Sequence, residues 1–296
     1  MKLNQLFISL FLILPTAAMA QTIAAADSTG LPGDNFSLEG ALDLFKESSS
    51  PEDFEKRLNT ENNKVNNLDL NDDGETDYIR VVDKSESDAH AFILQAVVSE
   101  SESQDVAVVE LEKSGNDGAT AQIVGDEDIY GHQTIVEPTQ SVATNAGTSS
   151  KTVVVNVVTW PMVRYVYAPG YRVWVSPWRW RVYPAYWRPW RPVRYSVFYG
   201  YRAPYHRHYA VVSTHRVVRA HRVYVPVRTT SVTVVHRNEA NMTRYRSTHA
   251  GPNGTVTRTS TTVHGSHGNK ATRQTTTVKG KNGKVKQTKV RRHQTN

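Results

Sequence analysis

The chain has 296 residues, a net charge of +7, 13 prolines and no cysteine. Without a thiol there is no disulfide framework, no thiolate nucleophile and no cysteine metal ligand. The modest net charge hides a sharp split. Residues 1–150 hold eight Lys/Arg against 27 Asp/Glu, a balance of −19, and residues 151–296 hold 27 Lys/Arg against Glu239 alone, a balance of +26. Two such parts either meet different partners or neutralise each other, within one chain or between chains.

The first 20 residues read as a secretory signal peptide. Lys2 supplies a positive start, Leu6–Leu14 an apolar run, Pro15 a break and Ala18-Met19-Ala20 a cleavage site before Gln21. The apolar run is far short of the ~20 residues that span a bilayer. The mature chain is therefore expected in the periplasm or outside the cell, and at the outer membrane if it adheres to a surface. Residues 21–35 are small and polar, a flexible leader.

An acidic α+β domain is expected over 36–138. Ser37 caps a helix with Leu38, Ala41, Leu42 and Phe45 on one face, and Ser50-Pro51-Glu52-Asp53 opens a second, short helix that turns Phe54 and Leu58 inward. Strands follow at Tyr78–Lys84, Ala89–Glu100, Asp105–Lys113 and Ala119–Val124, joined by short polar turns as in an antiparallel meander. The second strand is apolar on both faces and so central.

Between helices and strands lies LDLNDDGETDYIRVVD, with Asp69, Asp72, Asp73, Glu75 and Asp77 inside nine residues. Oxygens from alternate residues (Asp69, Asn71, Asp73), a glycine at the sharp turn, the backbone carbonyl of Glu75 and a closing Asp77 suit a hard cation such as calcium. The bare alternative is an acidic turn without metal. The position where an EF-hand places its bidentate glutamate is Arg80, and the following run is β-prone, so a helix–loop–helix is excluded. The loop resembles the D-x-[DN]-x-D-G-x-x-D calcium loops of FG-GAP and related repeats, which implies a structural calcium beside a strand. The stretch from NNLDLNDDGETDYIRVVD to AQIVGDEDIYG is also similar to a group of secreted, uncharacterised bacterial proteins that pair such a domain with a biased C-terminal half. That resemblance implies no activity.

Residues 139–150 have linker composition. The segment 151–236 is rich in Val, Tyr, Trp, Arg and Pro, with Ala168-Pro169-Gly170 suggesting a hairpin and later prolines excluding a regular central sheet. Trp178, Trp180, Trp187 and Trp190 interleave with Arg179, Arg181, Arg188 and Arg191. Tryptophan favours the membrane interface and arginine grips phosphate or carboxylate, so anionic envelope lipid or polysaccharide is the expected partner. Stacking and charge also suit single-stranded nucleic acid, which an exported protein would meet only outside the cell. The remaining alternative is that the rings pack on each other or on the acidic domain.

His206 and His208 form an H-x-H pair; the histidines beyond it, His215 and His221 among them, lack a carboxylate nearby in sequence and read as part of a basic biased tract. The tail 237–296 repeats weakly from Gly251, Gly265 and Gly280, each unit a Gly/Asn turn signal before Thr/Val-rich residues. With almost no large apolar side chain to bury, it is expected to be a largely disordered basic tail, with a β-meander as the alternative. Nucleophile-elbow, zincin and phosphate-loop signatures are missing. The expected function is non-enzymatic: association with anionic envelope components through the basic aromatic half. Self-association into a matrix through pairing of acidic and basic halves is the alternative.

Overall fold

Two serines start the helical layer. Ser37 Oγ accepts the Gly40 amide at 3.0 Å and opens α1 (Leu38–Glu47), and Ser50 Oγ accepts the Asp53 amide at 3.1 Å and opens α2 (Pro51–Leu58). Asp53 in turn accepts the amide of Ser49, the residue before the cap, in place of the cap residue's own amide that a capping box would use. Phe45 meets Phe54 edge-on at 5.3 Å, so the two stripes read from the sequence close on each other.

The computed structural model describes residues 28–143, 150–238, 242–251, 254–264, 270–280 and 285–295; the expected signal peptide and residues 21–27 of the leader lie outside these. Strands β1 (Ile79–Glu86), β2 (Ala89–Val97), β3 (Ser103–Ser114), β4 (Gly118–Gly125) and β5 (Thr134–Ala143) pair antiparallel in chain order, the expected meander. Every residue of β2 is buried, as its doubly apolar pattern requires. The short α3 (Glu127–Tyr130) joins β4 to β5.

The C-terminal half continues this sheet. Of the expected linker, 139–143 end β5, Ser150 begins β6 (Ser150–Val154), and 144–149 lie outside the described residues. Strand β6 pairs with the end of β5, and β7 (Tyr209–Val212) pairs with its start. Between them run α4 (Pro161–Val166) and α5 (Tyr195–Arg202); α6 (Val218–Tyr224) and α7 (Val232–Asn238) follow. No hairpin forms at Ala168–Gly170. Pro161 opens α4 instead, and Met162, Val163 and Val166 are buried in the core that includes α1, which overrides the local alternation.

One face of the sheet (Ile79, Val81, Phe92, Leu94, Val109, Leu111, Ile123, Val136) packs against α1, α2 and α4. The other carries Ala91, Ile93, Val108, Val124 and Ile135 under Tyr224 of α6. That second face also holds buried Asp105, Glu110, Gln122 and Glu137. The segment 214–231 supplies their partners. Arg216 meets Glu137 at 2.9 Å, Arg219 meets Glu112 at 3.0 Å, Arg228 grips Asp126 at 2.5 Å and also Asp128, and the Thr229 amide donates to Asp105 at 2.8 Å. The two halves thus share one sheet, and their charges meet within the chain.

The tail differs from the expected disorder. Strands β8 (Met242–Gly251), β9 (Gly254–His264), β10 (Lys270–Gly280) and β11 (Val285–Thr295) form a separate antiparallel sheet in chain order. Gly251 and Gly280, which open two of the repeats, end β8 and β10, while Gly265 lies outside the described residues, and threonines such as Thr262 and Thr272, 3.0 Å apart through their hydroxyls, face each other across the sheet. Among the described residues no helix is long and apolar enough to cross a membrane.

Removing one partner of a buried ion pair strands the other charge. Arg228→Ala is therefore expected to lower the unfolding free energy by about 3 kcal/mol in urea titration, while Arg191→Ala, at an exposed position without an ion pair to a described residue, changes it by less than about 0.5 kcal/mol.

Candidate functional site

The acidic loop folds on its own side chains. Asp72 and Gly74 take left-handed conformations, φ 65° and 82°. Asp69 accepts the amides of Asp73 at 3.1 Å and Gly74 at 2.9 Å, Asn71 accepts the Asp73 amide at 3.1 Å, and Asp73 accepts that of Glu75 at 2.9 Å. Asp77 is buried and accepts the Leu70 amide at 2.5 Å. Burial pushes its carboxyl up to about 7, helped by the charges of Asp69 and Asp73. The Glu75 side chain is exposed, in keeping with a backbone role. Arg80 sits on β1 and donates to Gln95 across to β2 at 2.7 Å, so the exit from the loop is a strand. Oxygen donors on alternate residues around Gly74 are the kind a hard cation takes, but the carboxylates of Asp69, Asp73 and Asp77 each accept a backbone amide and do not converge within 4.8 Å of one another.

The loop is tied to the C-terminal half at two points. The amide and hydroxyl of Thr76 both donate to the Trp190 carbonyl, at 2.8 and 2.9 Å. The Arg237 guanidinium donates to the Leu70 and Asn71 carbonyls and lies 3.8 Å from Asp72.

The Arg-aromatic segment is irregular, as its prolines demand, and it closes the open edge of β1. The Ser176 amide donates to the Val81 carbonyl at 3.0 Å, and the Asp83 amide to the Trp174 carbonyl at 2.8 Å. Glu55, buried beneath it, accepts from the Val81 amide, Tyr78, Ser176 and Trp174; burial raises its pKa, opposed by these bonds. Beyond this clamp the eight candidate residues part company. Trp187 is 6% exposed, 4.5 Å from the Tyr183 ring and 5.1 Å from that of Tyr78. It belongs to the core rather than to a binding surface. Trp178, Trp180 and Trp190 are half-buried. Arg179, Arg181, Arg188 and Arg191 point outward, and none is ion-paired to a described residue. Arg181 lies over the Trp180 ring at 5.8 Å.

Two buried histidine–carboxylate groups were not legible from spacing. His90 Nδ1 sits 3.0 Å from Asp83 Oδ2, the same oxygen that accepts the Tyr171 hydroxyl at 2.8 Å. On the opposite side of the sheet, Glu110 of β3 meets His215 Nε2 through one oxygen and His221 Nδ1 through the other, the latter at 2.7 Å. The carboxylate that the sequence does not place near these histidines comes from more than 100 residues upstream. The available signal was Glu110 itself, a charge on the same strand face as Val108. His206 and His208, in contrast, lie at the end of the 3-10 turn Ala203–Arg207, both exposed.

Compared with known proteins, the chain matches no family model, and no curated protein or solved structure is significantly similar to it.

Proposed function

We propose that this is an exported, non-enzymatic protein that binds an anionic envelope surface, lipid or polysaccharide, through the outward arginines of residues 178–191, with calcium bracing the acidic loop behind them. One observation carries this reading. Arg202, Arg216, Arg219 and Arg228 are each consumed by a carboxylate of the same chain, whereas Arg179, Arg181, Arg188 and Arg191 face outward beside half-buried tryptophans. Arg181 lies over the Trp180 ring and Arg188 bonds the Ala185 and Trp187 carbonyls, and the half-buried tryptophans present indole surface to an interfacial layer.

The loop supports the same surface. Through Thr76 it fixes the backbone at Trp190, one residue before Arg191. Calcium there would cancel the repulsion among Asp69, Asp73 and Asp77, and so anchor the far end of the arginine row. Assembly of separate chains through acidic and basic halves is less well supported, because many of those charges already meet within one chain.

Each arginine near an anionic surface contributes about 1 kcal/mol. The mature chain is expected to bind vesicles containing anionic lipid at low ionic strength and to release at high salt. Replacing Arg179, Arg181, Arg188 and Arg191 with alanine should weaken binding on the order of a thousandfold, read by co-sedimentation. Equal binding by the fourfold variant, or equal binding to zwitterionic vesicles, defeats the proposal. For the loop, calcium is expected to raise the melting temperature of the mature chain, chelator to lower it, and Asp69→Ala with Asp73→Ala to abolish the difference. An unchanged midpoint removes calcium from the account.

A further inference from the structure

The covering segment 214–231 treats the acids of the sheet's second face unequally. Glu112, Glu137 and Asp126 each receive an arginine. Glu110, 0% exposed, receives two imidazoles instead. His215 reaches it from the stretch between β7 and α6, and His221 from within α6, and their rings stand 4.2 Å apart. Of the cations beside the two histidines, Arg216 and Arg219 are held away by Glu137 and Glu112, and Arg222 turns back to the Val218 carbonyl. Among the described residues this is the one trio of His, Asp or Glu whose candidate ligand atoms all lie within 4.8 Å of one another.

We propose that Glu110, His215 and His221 form a site for a divalent transition cation of the zinc type. Two imidazole nitrogens and one carboxylate oxygen are a borderline donor set, suited to zinc, copper or nickel and unsuited to calcium, which takes oxygen. Zinc bonds of about 2.0–2.2 Å place tetrahedral ligands roughly 3.3–3.5 Å apart. The present hydrogen-bond separations would need to widen by about 1 Å, within reach of small side-chain rotations. One doubly charged ion satisfies the buried carboxylate and both nitrogens together, whereas two protons would put like charges on adjacent rings. The histidine side chains remain about a fifth exposed, 20% and 21%, so the trio is open to entry on one side and leaves a fourth position for water or an outside ligand. The site is distinct from the acidic loop in residues, donor chemistry and strand.

The test uses the mature chain, stripped with chelator and titrated with zinc by calorimetry. One zinc per chain is expected. His215→Ala or His221→Ala should weaken it at least tenfold, since even outer-sphere partners of a bound metal are worth about 10–100-fold. His206→Ala with His208→Ala should leave it unchanged, and excess calcium should not compete. Absence of stoichiometric zinc binding, or binding lost with His206 and His208 and kept without His215 and His221, overturns the assignment. Should the His215 or His221 variant fail to fold, X-ray absorption of the zinc-loaded native chain decides. Two imidazoles in the coordination sphere support the site, and fewer than two overturn it.

Discussion

The fold depends on a set of carboxylates that cannot be buried alone. Asp105, Glu110, Asp126 and Glu137 line the second face of the sheet; burial pushes Asp105 up to about 6 and raises Asp126 as well. An uncovered face would leave them in water, but it would also expose Ala91, Ile93, Val108 and Val124. Covering the apolar patch therefore requires a segment that brings cations and donors with it. Residues 214–231 are that segment. Part of the charge asymmetry along the chain is the record of this pairing.

The same logic explains what is left over. A basic half that only neutralised the acidic half would have its arginines turned inward. Arg202, Arg216, Arg219 and Arg228 are each paired with an acid in this way, while Arg207 and Arg222 between them are exposed. The arginines of 179–191 are not so paired with any described residue, and they sit on a stretch whose aromatic rings and backbone are committed to the edge of β1 and to Glu55. Residual charge on an immobilised backbone loses little entropy on meeting an anionic partner, which separates this surface from a flexible basic tail.

Much of the local structure was legible. Ser37 and Ser50 announce their helices through capping chemistry, alternating and continuous apolar runs mark β1 to β4, and the loop spacing at 69–77 survives as a turn built on Asp69, Asp73 and Gly74. What local pattern could not supply was partnership across sequence. The stretch PMVRYV alternates like a strand yet forms α4, because Met162, Val163 and Val166 find a buried site in the core with α1. Thr229 meets Asp105, and two histidines read as biased composition meet Glu110. Acids on apolar strand faces were the one hint, since a charge there predicts a covering element of opposite sign. The tail shows the converse: with few large side chains, its strands rest on backbone ladders and Thr-rich pairs that composition alone scored as disorder.

The central claim is that the basic half is a wall of the fold. Native-state hydrogen exchange on the mature chain tests it most directly, because amides that open together report one cooperative unit. The account predicts that amides of β7 and α6 exchange with the same opening free energy as those of β2 and β3. Early exchange throughout 209–234, with 89–114 still protected, would contradict it.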